Sequence, residues 1–249
     1  MGGVRRAGAR EGPRGIGEIL VSSRPYDEYL AMFGLAEREV LAGPVLDCPG
    51  GAGPFGAAVR ARGGRAVSAD PAYALPPAEI VAQVRAGLEH GIRYLGENEE
   101  SYVWTFFCSL DDLRRRRGAA LEEFAHDFRG PDPRYVVAAL PRLPVDDGAF
   151  RLVLSAYLLF AYPDHLDEVA HERALRELLR VAREEVRVFP LIDTAYVRHP
   201  ALDILRRRLA ADGVDSEVRR VDYEFQRGGD EVLVLRPGVT RVTARRSRP

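Results

Sequence analysis

The chain contains no lysine, only two cysteines, two methionines and one tryptophan among its 249 residues. Apart from five histidines, every basic side chain is therefore an arginine. With abundant Ala, Gly and Pro, this reads as the codon bias of a GC-rich bacterial genome rather than as function. Cys48 and Cys108 lie far apart and make no metal-ligand set, so no metal is expected. Their scarcity suits a reduced, cytoplasmic protein. An excess of one charge is also lacking. The net charge is −1 and the pI about 6.5, which gives no general drive toward nucleic acid or anionic lipid. No apolar run is long enough to span a bilayer, and Met1 to Gly17 lacks the apolar core of a signal peptide. That stretch is expected to be a disordered tail. What is present is a hydrophobic share of 46%, enough for a full core in one domain over residues 18–249.

The most informative stretch is Pro44 to Tyr73. A short apolar run ends in a carboxylate, Val45-Leu46-Asp47. A glycine-rich turn follows, Gly50-Gly51-Ala52-Gly53, then a small-residue helix pattern from Phe55 to Arg62. A second short strand, Arg65 to Ala69, ends in Asp70. This is the strand–loop–helix–strand–acid unit of a nucleotide-binding half sheet. Glycines let the backbone turn tightly and approach a ligand, and a helix N-terminus offers unpaired N–H groups. An acid at the tip of the second strand can accept both hydroxyls of a ribose. Gly51, Gly53 and Gly56 also spell G-x-G-x-x-G, so an NAD(P)-dependent oxidoreductase is one reading. However, that fingerprint expects its acid roughly 20 residues or more beyond the glycines. Asp70 comes early, and Asp47 sits where dinucleotide strands are apolar.

Asp47, Gly51, Gly53 and Asp70 resemble motif I and the following acid of class I S-adenosylmethionine (SAM)-dependent methyltransferases. Leu143 to Ser155, LPVDDGAFRLVLS, is similar to the segment that leads into that family's fourth strand. Ala174 to Ala182 is similar to the helix before its fifth, Val186 to Phe189. Ser216 to Phe225 and Glu231 to Arg236 read as a terminal strand pair. The likeness covers roughly Pro44 to Pro237. It implies an α/β fold with a doubly wound, seven-stranded sheet, mostly parallel with an antiparallel last strand. It implies SAM as cofactor, methyl transfer as activity, and a ligand held by Asp47, Gly51, Gly53, Asp70, Leu140 and Ser155. Three positions depart from the family pattern. Pro49 replaces the first glycine, Ala139 replaces an acid near the adenine amine, and no proline-glycine turn precedes strand five. A non-catalytic SAM-binding domain that serves as a partner or regulator is therefore a further alternative.

Between strand two and Arg134 to Ala138, read as strand three, the chain is longer than one crossover helix needs. Pro76-Pro77 opens a helix with Ile80, Val84, Leu88 and Ile92 at four-residue spacing. A second helix spans Leu110 to Phe128. The excess, residues 74–133, is expected to be a helical insertion that forms a lid or wall over the pocket. Its aromatic segment supplies Tyr102, Trp104 and Phe107 as contacts for a small, aromatic or hydroxylated acceptor. Tyr157 after strand four and Tyr196 after strand five join them, and Arg24 and Tyr26 can fold over the ligand from the N-terminal side. For a hydroxyl acceptor, His126 or Asp193 is the candidate base, with Tyr157 at the reacting centre. Arg114 to Arg117 is flanked by acids and reads as a solvated helix face, not an RNA site.

Overall fold

The computed structural model describes residues 21–162 and 165–238; the tail expected over residues 1–17 lies outside them. Seven strands form one sheet in the order β3-β2-β1-β4-β5-β7-β6. They are β1 (Pro44–Asp47), β2 (Arg65–Ala69), β3 (Tyr135–Val136), β4 (Phe150–Ala156), β5 (Ala182–Phe189), β6 (Asp215–Arg220) and β7 (Glu231–Arg236). Neighbours from β3 through β5 pair in parallel, and β7 runs antiparallel to both β5 and β6. This is the doubly wound sheet with an antiparallel last strand that the resemblance implied. The inner strands read as continuous apolar runs because both faces are covered. Leu46 of β1 is buried between its sheet neighbours Val67 and Val153. Strand order reverses between β1 and β4, which puts a crevice at their carboxyl ends.

Helices α1 (Tyr26–Phe33), α2 (Glu37–Leu41) and α3 (Phe55–Ala61) precede β2, while α6 (Glu168–Val181) and α7 (Leu202–Ala211) flank β5. Asp167 caps α6 by accepting from the Ala170 N–H. The helix ends directly in β5, so the missing proline-glycine turn has no gap to fill. The insertion consists of α4 (Pro77–Glu97) and α5 (Leu110–Asp127), the latter capped by Ser109. These helices bury Ile80, Val84, Leu121 and Phe124 with Tyr73, Phe128 and Tyr135 in a core of their own. Ile92, Leu95 and Leu113 join the main core on the α1 face of the sheet.

Three expectations shift. Strand three is two residues long, because Asp132 accepts from the Arg134 and Tyr135 N–H groups and turns the chain just before it. The strand expected over Ser216 to Phe225 stops at Arg220. Beyond it, Tyr223 and Phe225 turn inward to bury their rings. The aromatic segment is neither helix nor strand: the Val103 N–H donates to the Phe225 carbonyl, and Tyr102 bridges Gln226.

Candidate functional site

The glycine turn and the ends of β1, β2 and β4 enclose a cavity of about 440 Å³. Gly51 adopts φ 54, the left-handed region that favours glycine. Its N–H donates to Asp70 Oδ2 at 2.9 Å, and the Ala72 N–H donates to Oδ1 at 2.8 Å. Gly51 and Asp70 both line the cavity. Each Asp70 oxygen has one backbone donor and retains a second acceptor position. Burial holds this carboxyl above its usual range, against the opposing pull of those two N–H groups. Leu140 also lines the cavity, with the apolar side chains of Ala138, Leu158 and Leu166. His171 of α6, which the sequence reading did not single out, supports this lining. Its Nε2 accepts from the Phe160 N–H at 3.1 Å, and its Nδ1 therefore donates to the Asp167 carbonyl at 2.8 Å.

Four of the residues expected at the ligand lie elsewhere. Asp47 is buried behind the cavity wall, where the Tyr29 hydroxyl donates to its Oδ1 at 3.2 Å. Burial raises its carboxyl well above the ordinary range. Gly53 does not face the cavity; a side chain there would come within 2.9 Å of the Arg24 carbonyl, so glycine admits the N-terminal segment. Ser155 is fully buried in β4 with no partner for its hydroxyl. Tyr26 stacks on Phe55 beneath Arg62, away from both cavities.

A second cavity, about 130 Å³, lies between α4 and the main body. Val84, Gly87, Leu88, Gly91, Ile92 and Leu95 line it, a helical stripe at three- and four-residue spacing. The two glycines leave open space where side chains would stand. Tyr102, Phe225, Thr194 and Gln226 close the other side. Trp104 and Phe107 do not line it. Trp104 packs behind, edge-on to Phe225, and Phe107 is wholly buried beneath Arg116 and Arg117. Tyr196 is also behind the wall. Its ring meets that of Tyr102 at 6.0 Å, edge-on.

Arg24 and Tyr157 border both cavities, as do Val21 and Ser22. The Arg24 guanidinium lies 3.7 Å from the centre of the Tyr157 ring. Tyr157 takes φ 51, which turns the chain sharply at the end of β4 and aims its ring at this boundary. Neither candidate base reaches it. His126 is exposed near the far end of α5, beyond the part of that helix that faces the cavity. Asp193 is occupied in its own loop, accepting from the Ala195 and Val197 N–H groups at 2.8 and 3.0 Å. Thr194 beside it lines the cavity instead. Arg117 was expected on a solvated helix face; it turns inward and lines the second cavity. Among the described residues no cluster could hold a metal ion.

No protein-family model matches the chain. An uncharacterized protein of Methanocaldococcus jannaschii is 28% identical over 220 residues, 88% of this chain and 96% of that protein. Among solved structures, magnesium protoporphyrin IX methyltransferase from Synechocystis PCC 6803 is 12% identical. It aligns over 86% of this chain and 91% of its own, with a TM-score of 0.42. The 1,6-didemethyltoxoflavin-N1-methyltransferase of Burkholderia thailandensis is 17% identical over 81% of this chain and 76% of its own, also at 0.42.

Proposed function

We propose that this chain is an enzyme that transfers a methyl group from SAM to a small molecule. The observation that carries this reading is the pair of cavities meeting at Arg24 and Tyr157, one built on the glycine turn and Asp70, the other aromatic. The first suits the donor. Asp70 has an acceptor position to spare on each oxygen for two ribose hydroxyls, the Gly50-Gly51 turn lets backbone approach closely, and Leu140 faces an apolar slot for adenine. When bound, SAM supplies a methyl group already activated by its sulfonium. The protein's own contribution is to hold the acceptor in line and keep water out, ordering that can reach roughly 7–11 kcal/mol. Tyr157, at the boundary, positions the acceptor. Helices α4 and α5, the expected lid, form its outer wall.

The antiparallel β7 favours this reading over an NAD(P)-dependent oxidoreductase, and the second cavity favours turnover over a non-catalytic binding domain. The pairing of the arginine run supports a small acceptor over nucleic acid. Arg114, Arg115, Arg116 and Arg117 each pair with a carboxylate. No helix among the described residues is long and apolar enough to cross a membrane.

The described lining of the second cavity contains no Asp, Glu or His, and burial raises its Tyr102 and Tyr157 hydroxyls above the ordinary tyrosine range. The described lining therefore offers neither a carboxylate nor an imidazole as a base. The test is incorporation of labelled methyl from SAM into a small-molecule acceptor, followed against pH. We expect kcat/KM to show no protein inflection between about pH 6 and 9, any inflection tracking the acceptor's own pKa. A fixed inflection near 6.5 across acceptors of different acidity contradicts this, and absence of transfer to any small molecule contradicts the enzyme reading.

A further inference from the structure

We infer that the second cavity takes an anionic acceptor, whose carboxylate or comparable oxyanion sits against Arg24 and Arg117; this rests on the methyl-transfer reading above. Both arginines line that cavity and both are about nine-tenths buried. Between them stands one carboxylate. Glu28, fully buried, lies 3.4 Å from Arg24 Nε and accepts from Arg117 Nη2 at 2.7 Å. Its Oε1 also accepts from the Tyr223 hydroxyl at 2.8 Å. Two guanidiniums therefore face one negative charge, and the described lining adds no other acid.

Burying a charge without a counter-charge is costly. Nε of Arg24 and Nε of Arg117, and Oε2 of Glu28 between them, are buried with no hydrogen-bond partner, so the cluster is under-paired on both sides and the excess positive charge at the cavity wall carries the argument. An arginine fork matches a carboxylate better than it matches a neutral group. The remaining wall is apolar and aromatic, so the fitting ligand is a ring or chain that carries one acidic group. Arg24 borders the donor cavity too and could serve the donor's own carboxylate, but Arg117 borders only the second cavity. Arg117 is therefore the discriminating residue. Removing it leaves Glu28 paired with Arg24, so the Arg117→Gln variant loses the excess charge without orphaning an acid.

The test is calorimetry with matched probes, benzoate and phenylacetate against benzamide and phenylacetamide, each with and without saturating S-adenosylhomocysteine (SAH). In the wild-type protein the carboxylates are expected to bind at least about tenfold more tightly than their amides. In Arg117→Gln that preference should vanish while SAH affinity is retained. The wild-type comparison does not depend on the variant's folding. The proposal is overturned if amides bind as tightly as carboxylates, or if no carboxylate binds. It is equally overturned if the preference persists in Arg117→Gln, or disappears once SAH is bound. Absence of a carboxylate preference in the wild-type protein, with intact SAH binding, defeats this inference alone. A carboxylate preference in a protein that does not bind SAH defeats the methyl-transfer reading instead.

Discussion

Asp70→Ala is expected to lower affinity for SAM and SAH by roughly 10- to 100-fold, because it removes two charge-assisted hydrogen bonds to the ribose. The side chain also organises the turn, holding the Gly51 and Ala72 N–H groups, so some of the loss comes through the loop. Asp70→Asn separates the two effects. The amide keeps one oxygen that can accept and loses the charge, so the loop is perturbed less while the ribose contacts remain weakened. Calorimetry on both variants reads the outcome, and thermal melting checks their folding. SAH affinity unchanged in Asp70→Ala would remove the ribose assignment.

Gly91→Phe is expected to abolish acceptor turnover, by roughly 100-fold or more, with SAH affinity close to that of the wild type. Gly91 lines the second cavity and a side chain there enters open space, so a phenyl ring takes up room that an acceptor would occupy. An acceptor displaced by even one ångström can lose about 100-fold in rate. The site is distant from Asp70 and the glycine turn, so donor binding should be spared. Gly91→Ala serves as the control. It replaces a mid-helix glycine with the best helix former, worth about 0.5–1 kcal/mol, and should raise the melting temperature by about 1–4 °C. Full turnover in Gly91→Phe would mean that the acceptor binds elsewhere.

The sheet was legible because its signals are local and strong. Val45-Leu46-Asp47, the glycine turn and Asp70 form one contiguous unit, and the strand pair at the C-terminus is marked by the Gly228-Gly229-Asp230 turn between its members. Asp70, Gly51 and Leu140 reach the first cavity because their place is set by strand ends, which sequence can locate. The second cavity was less legible. Its lining comes from α4, from two loops and from the N-terminal segment, brought together only by tertiary packing. Trp104 and Phe107 were reasonable pocket candidates as aromatics, yet aromatic rings carry large apolar surface and here serve as packing behind Tyr102 and Phe225. One available signal went unread. Gly87 and Gly91 fall on the same face as Val84, Leu88 and Ile92, and glycines on the apolar stripe of a long helix mark a void or a close approach. Arg117 was hidden by its neighbours. In the run Arg114 to Arg117, four like residues mask the helix phase: Arg117 falls midway between Leu113 and Leu121 on the buried stripe of α5 and turns inward toward Glu28, Arg116 lies over the Phe106 and Phe107 rings, and Arg114 and Arg115 face solvent. His126 and Asp193 were chosen for chemistry alone, and their positions follow from helix phase and loop geometry that the sequence does not specify.

The most direct measurement is isothermal titration of the purified chain with SAM, SAH, NAD and NADP in parallel. Binding of SAM and SAH at one site per chain, weakened in Asp70→Ala, with no heat from NAD or NADP, is the expected result. Saturable binding of NAD or NADP, or no binding of SAM and SAH, would contradict the assignment of this cavity to a methyl donor.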